Sequence, residues 1–174
     1  MIKQFVPSEF CLEKCRCCCR FSQQDSVWSP CLLDEEIEAL SKLNIPPSVI
    51  SQSKKIRLVP FPKEKIEELP AHVGPLFICP FLDMKNSKCN IYESRPLECR
   101  LYPFLINKRE KRIFLSVDLG CPFIEENLQT KGFKEYTDYL FSLLNEPVYL
   151  NLLRNNPQII QVYDDALDLL ELKL

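Results

Sequence analysis

The chain has 174 residues, with 22 basic and 24 acidic side chains for a net charge of −2, and its unusual counts are ten Cys, fourteen Pro, three Gly and one His. The charge balance excludes a sequence-wide basic field for nucleic acid, and 46% hydrophobic residues exclude wholesale disorder. Three glycines leave no GxGxxG or GxxxxGKS/T phosphate loop, and a single histidine rules out a Cys2His2 zinc finger.

In chain order, residues 11–19 form a Cys-dense loop. Asp34 to Leu43 then predict a helix: Asp34 suits the N-cap, and Ile37, Leu40 and Leu43 fall three apart. Residues 44–75 carry six prolines and read as irregular, with a short strand at Ile56 to Val59. Phe77 to Leu82 and Lys88 to Tyr92 predict a hairpin around Met84 to Ser87. A helical turn or two follows Arg95-Pro96, and a second hairpin pairs Phe104 to Ile106 with Ile113 to Val117. Its basic tip, Lys108 to Arg112, reads as a solvated turn. Beyond Cys121-Pro122 no further Cys occurs. Phe133, Tyr136, Leu140, Leu143 and Leu144 have helical spacing, and Pro147 suits the start of a second helix. Asn156-Pro157 suits the start of a third, with Ile159, Ile160, Tyr163, Ala166, Leu167 and Leu170 as its stripe.

These elements predict an α+β protein in two parts. Residues 1–125 form a small metal-stapled Cys-rich domain with short β-hairpins and helices. Residues 126–174 form an all-helical C-terminal extension. No apolar run reaches the roughly 18 residues of a membrane helix, and the first residues lack the apolar stretch of a signal peptide. A cytoplasmic location without membrane association is the expectation, and thiols stay reduced there. Clustered Cys in that setting points to metal or redox chemistry. Local geometry agrees: adjacent Cα atoms stand about 3.8 Å apart, under the roughly 4.4 Å an unstrained disulfide needs. Cys17, Cys18 and Cys19 therefore suit ions better than bridges between neighbours.

Two blocks carry the motif. The first is Cys11-x3-Cys15-x2-Cys18-Cys19, with Cys17 as an extra thiol. The second runs Cys79-Pro80-Phe81-Leu82, Cys89-Asn90-Ile91-Tyr92, Arg95-Pro96, Cys99-Arg100, Tyr102-Pro103-Phe104 and Cys121-Pro122. Over residues 8–125 this resembles the YkgJ-like cysteine-cluster family, the zinc- or iron-chelating CxxCxxCC domain. Cys15, Cys18 and Cys19 match the right-hand part of the family's first block, while Cys11 stands one residue further out. The resemblance implies a metal module with Cys11, Cys15, Cys18, Cys19, Cys79, Cys89, Cys99 and Cys121 as ligands. Related clusters in flagellin lysine methylases imply an alternative: an enzyme or enzyme subunit with protein lysine methylase-like activity.

Eight thiols suffice for two four-thiolate sites, each able to take Zn2+ or a [4Fe–4S] cluster. Soft sulfur excludes magnesium and calcium. Eight thiolates need compensating charge, for which Arg95 and Arg100, flanking Cys99, are the candidates beside the cofactor. Tyr92 and Tyr102 read as core aromatics with satisfied hydroxyls. Electron transfer, sensing or scaffolding are the expected uses, with an unidentified protein or redox partner and no nucleic acid. Cys11-x3-Cys15-x2-Cys18 also has radical SAM spacing, but the β–α alternation of a barrel is missing. Cys31 matches nothing in the motif and reads as a small buried residue, and His72 as a loop residue.

Overall fold

The computed structural model describes residues 2–13, 18–62 and 77–174. Cys15, Cys17 and His72 lie outside them. Helix α1 (Ser8–Glu13) precedes strand β1 (Arg20–Phe21), and α2 (Asp34–Lys42) follows close to expectation. Leu33, not Asp34, is its N-cap. The Leu33 N–H donates to Glu36 Oε2 at 2.9 Å, satisfying a donor the first turn cannot. After β2 (Val59–Pro60) come β3 (Phe77–Ile78), β4 (Leu82–Asp83) and β5 (Lys88–Cys89), each two residues long.

The first predicted hairpin forms only at its tip. Leu82 pairs with Cys89 and Asp83 with Lys88. Asp83 closes the turn by accepting from Lys85 N (2.9 Å) and Asn86 Nδ2 (2.7 Å). Phe77 and Ile78 instead form the centre of another sheet, between β1 and β2. Helix α3 (Leu97–Leu101) then buries Leu97 and Leu101.

The second hairpin is longer than its apolar core predicted. Strands β6 (Phe104–Arg109) and β7 (Arg112–Asp118) pair continuously from Phe104↔Val117 to Arg109↔Arg112. The basic tip is thus largely strand, and its arginines are engaged. Arg109 Nε donates to Asp168 at 3.0 Å, and Arg112 pairs with Glu171 at 2.5 Å.

Helices α4 (Pro122–Asn127), α5 (Lys131–Leu144) and α6 (Pro147–Asn155) follow, α6 starting on Pro147 as expected and α4 likewise on a proline. In α5, Phe133, Thr137, Leu140 and Leu144 are buried, one stripe at helical spacing. They meet Phe104, Leu115, Val117, Ile124, Leu153 and Ile159 in the main core.

The all-helical extension does not hold. After a single 3-10 turn at Pro157–Ile159, residues Ala166–Glu171 form strand β8 on the open edge of β7, giving the order β6-β7-β8. Propensity favours helix for Ala-Leu-Asp-Leu-Leu-Glu, but the unpaired groups of β7 offer a ladder that a free helix would forgo. Asp168 supplies a second reason. It accepts from Ser116 Oγ (2.6 Å), Asn107 Nδ2 (2.8 Å) and Arg109 Nε (3.0 Å), so it satisfies the fully buried Asn107 and Ser116. A register shift between Leu115 and Ser116 accommodates the pairing. Before reaching β8, the chain crosses the outer edge of β6, where Lys108 N donates to Gln161 O (2.8 Å).

A smaller core holds Phe21, Leu32, Leu40, Ile56, Leu58, Cys79 and Phe81, with Cys19 and Cys89 packed against it. Three cysteines of the motif, Cys19, Cys79 and Cys89, thus lie in or against it.

Candidate metal centre

Short strands bring the two cysteine blocks together. Cys18 and Cys19 immediately precede β1, and Cys79 immediately follows β3. The antiparallel register Arg20↔Ile78 puts these ends side by side, and Cys79 N donates to Cys19 O at 2.9 Å. The β4–β5 turn brings Cys89 back toward Cys79, with Asn90 N donating to Phe81 O at 2.8 Å. Helix α3 delivers Cys99. Glu36 fixes its first turn: Leu97 N donates to Glu36 Oε1 at 2.6 Å and Arg100 at 3.2 Å. Burial raises the Glu36 carboxyl, and these partners and Leu33 N–H pull it back only in part.

Four sulfurs gather as a result. Burial pushes the Cys99 thiol well above its ordinary value, and charge on Cys18, Cys79, Glu98 or Cys89 would push it further. Cys89 is raised too, chiefly by burial, with Cys79 and Cys18 adding repulsion and Arg95 opposing it. Cys99 thus lies within electrostatic reach of Cys18, Cys79 and Cys89, and Cys89 within reach of Cys18 and Cys79. Among the described residues, no three or more Cys, His, Asp or Glu side chains converge tightly enough to hold an ion as they stand. The donor set nevertheless fits a thiophilic ion: four soft sulfurs, of which burial holds Cys89 and Cys99 protonated.

The other predicted ligands are placed differently. Cys121 is buried at the N-cap of α4 and belongs to the main core. Cys11 lies on α1, next to Phe10, whose ring meets Phe123 near the start of α4 at 4.9 Å. Tyr102 feels both Cys18 and Cys121; burial, then Asp118, raises its hydroxyl, which donates to Asp118 Oδ2 at 2.7 Å. That is the satisfied hydroxyl expected. Tyr92 is no core residue: it is 40% exposed and covered by Arg95, whose guanidinium lies 3.8 Å from the ring centroid. Arg95 therefore stands near Cys89, whereas Arg100 turns to Glu36.

Sequence reasoning missed the role of Glu98. Its Oε2 accepts from Cys31 N at 2.7 Å, while Oε1 is buried with no hydrogen-bond partner. Burial pushes its carboxyl up to about 8. Cys31 itself is fully buried, accepts from Gln161 Nε2 at 3.4 Å, and has its thiol pushed up to about 12, chiefly by burial. It is a core residue, as its lack of a motif partner suggested.

Cys18 and Cys99 line a cavity of about 220 Å³, along with Glu98, Tyr102, Asp118 and Trp28. No motif announced it, because its walls come from five separate stretches of chain.

A cysteine-dense α+β unit with gathered thiols defines a metal-chelating class of protein. Residues 10–122, more than half of the chain, match the family described as "CxxCxxCC: Putative zinc- or iron-chelating domain", and the chain belongs to that family. It is also similar to the uncharacterized protein MJ0661 of Methanocaldococcus jannaschii, 46% identical over 41 residues, which span 24% of this chain and 22% of that protein. No solved structure matches. Among the described residues, no helix is long and apolar enough to cross a membrane.

Proposed function

We propose that the chain holds a cysteine-ligated metal centre on Cys18, Cys79, Cys89 and Cys99. The observation that carries this reading is the mutual electrostatic reach of those four sulfurs, drawn from both blocks of the motif. Cys11, Cys15, Cys19 and Cys121 are the remaining thiols of the motif and supply a second set. Residues 1–125 are the metal-holding unit, and residues 126–174 brace it through the main core. Arg95, beside Cys89, offsets thiolate charge; Arg100 acts through Glu36, holding α3.

The ligand chemistry suits Zn2+ or a [4Fe–4S] cluster. A cluster would serve electron transfer or sensing, and zinc a scaffold. The cavity beside Cys18 and Cys99 favours a second reading, an enzyme or enzyme subunit using the centre. A protein lysine methylase-like activity is one such use. A cytoplasmic location fits the thiol chemistry.

The test is metal and acid-labile sulfide analysis, with a visible spectrum, on protein purified without oxygen. Brown protein with iron and sulfide supports the cluster, and colourless protein with zinc the closed thiolate site. Cys99→Ser should lose the ion or cluster of the first set. Full metal content in that variant would refute the assignment.

A further inference from the structure

The 220 Å³ cavity has a composition the metal reading does not use. Four aromatic residues line it: Phe21, Trp28, Tyr102 and Tyr163. The Trp28 and Tyr163 rings pack against each other at 4.8 Å, tilted by 44°. Asp118 and Glu98 line it as well, and its one basic lining residue is Arg20. Both Asp118 oxygens are held, by Tyr102 Oη at 2.7 Å and Gly120 N at 2.8 Å, which fixes the carboxylate in place. Glu98 keeps one oxygen without a partner.

Aromatic faces attract cations through their quadrupole, most strongly where water is excluded. The neighbouring centre adds to this preference. Four thiolates around a divalent ion leave −4 + 2 = −2, and a tetrathiolate cluster is anionic as well. An anion entering the cavity would meet the fixed Asp118 carboxylate and that centre, and a neutral molecule would gain nothing from either, while Glu98, kept protonated by burial, offers hydrogen bonding without charge. The volume lies below the roughly 300–1,000 Å³ typical of pockets for larger ligands, so the occupant is small.

We infer that this cavity is a binding site for a small organic ammonium ion, held between the aromatic walls and the acidic side next to the thiol centre. The inference goes beyond the metal reading, although the two share Cys18 and Cys99.

The chain contains a single tryptophan, Trp28, and it lines the cavity, so its fluorescence reports occupancy directly. The probes are choline and 3,3-dimethylbutan-1-ol, which share a shape and differ in charge. On metal-loaded protein, choline should change Trp28 emission saturably, and the alcohol should bind about tenfold more weakly. Tyr163→Leu, with metal content and circular dichroism unchanged, should weaken choline several-fold and leave the alcohol unaffected. Equal affinity for the two probes, or no response to choline at millimolar concentration, overturns the inference. If Tyr163→Leu fails to fold, the wild-type probe pair decides alone. Metal analysis of the same sample keeps the two readings apart: absence of metal refutes the centre, and loss of charge discrimination refutes the cavity.

Discussion

Metal binding to this site must release protons, and the structure sets a lower bound on how many. The Cys89 and Cys99 thiols both lie above the ordinary value of 9.0, chiefly through burial. At pH 6–7 both are therefore protonated, while a coordinating sulfur must be thiolate. Each ion bound to the four-sulfur set then releases at least two protons. With two, apparent affinity falls about 100-fold per pH unit, or about 2.7 kcal/mol; with all four sulfurs protonated beforehand, it falls about 10,000-fold. The assay is zinc competition against a chromophoric chelator at pH 6, 6.5 and 7, with released protons counted by a pH dye in weak buffer. Cys99→Ser, having lost the ion of this set, should release no protons from it. Fewer than two protons per ion, or an affinity indifferent to pH, would show that Cys89 and Cys99 do not both ligate.

Three further outcomes follow from the packing. Removing the metal should speed amide exchange around β1, β3 and the β4–β5 turn, whose core is small, more than in β6–β8 and α5; uniform exchange would refute this. Asp168→Ala should cost about 3 kcal/mol in urea unfolding, because it strands buried donors on Asn107 and Ser116, and a loss under about 1 kcal/mol would remove Asp168 as the brace of β8. Burial alone would raise Asp168, but hydrogen bonds from Ser116, Arg109 and Asn107 and the Arg109 charge outweigh it and hold the carboxyl below 3.8. Its stabilising contribution is therefore complete above pH 3.8 and fades as pH falls through the lower folded value, so the wild-type advantage over Asp168→Ala should shrink in acid. Conversely, the metal-free fold should weaken as pH rises past 9.0. Unfolded thiols ionise there while Cys89 and Cys99 remain neutral in the fold, and stability unchanged up to pH 10 would contradict those burials.

The cysteine motif was legible because its pattern is local: a run such as Cys89 to Cys99, with Arg95-Pro96 between, is visible in one dimension. The grouping of its cysteines was not. Cys19 and Cys79 meet through strands of two residues, too short to leave a period in the sequence. The α5 helix was legible because its stripe repeats over several turns. The third C-terminal helix failed because apolar spacing from Ile159 to Leu170 is compatible with two structures. The decision rested with the hairpin, where the open edge of β7, the buried Asn107 of β6 and the buried Ser116 of β7 lie some fifty residues upstream. Glu98 and Trp28 carry no motif at all, and only the folded chain brings them to the same wall.

The path of the chain after α6 has a consequence for self-association. A three-stranded sheet has two outer strands, each a template for another molecule's backbone. Here Gln161 occupies part of the outer edge of β6 on its way to β8, pairing beside Asn107 and accepting from Lys108 N. Across the sheet, β8 carries the acidic Asp168 and Glu171, both paired with arginines. One margin is thus blunted by backbone already in use and the other by charge, so the same segment that completes the sheet also discourages copies of it from joining edge to edge.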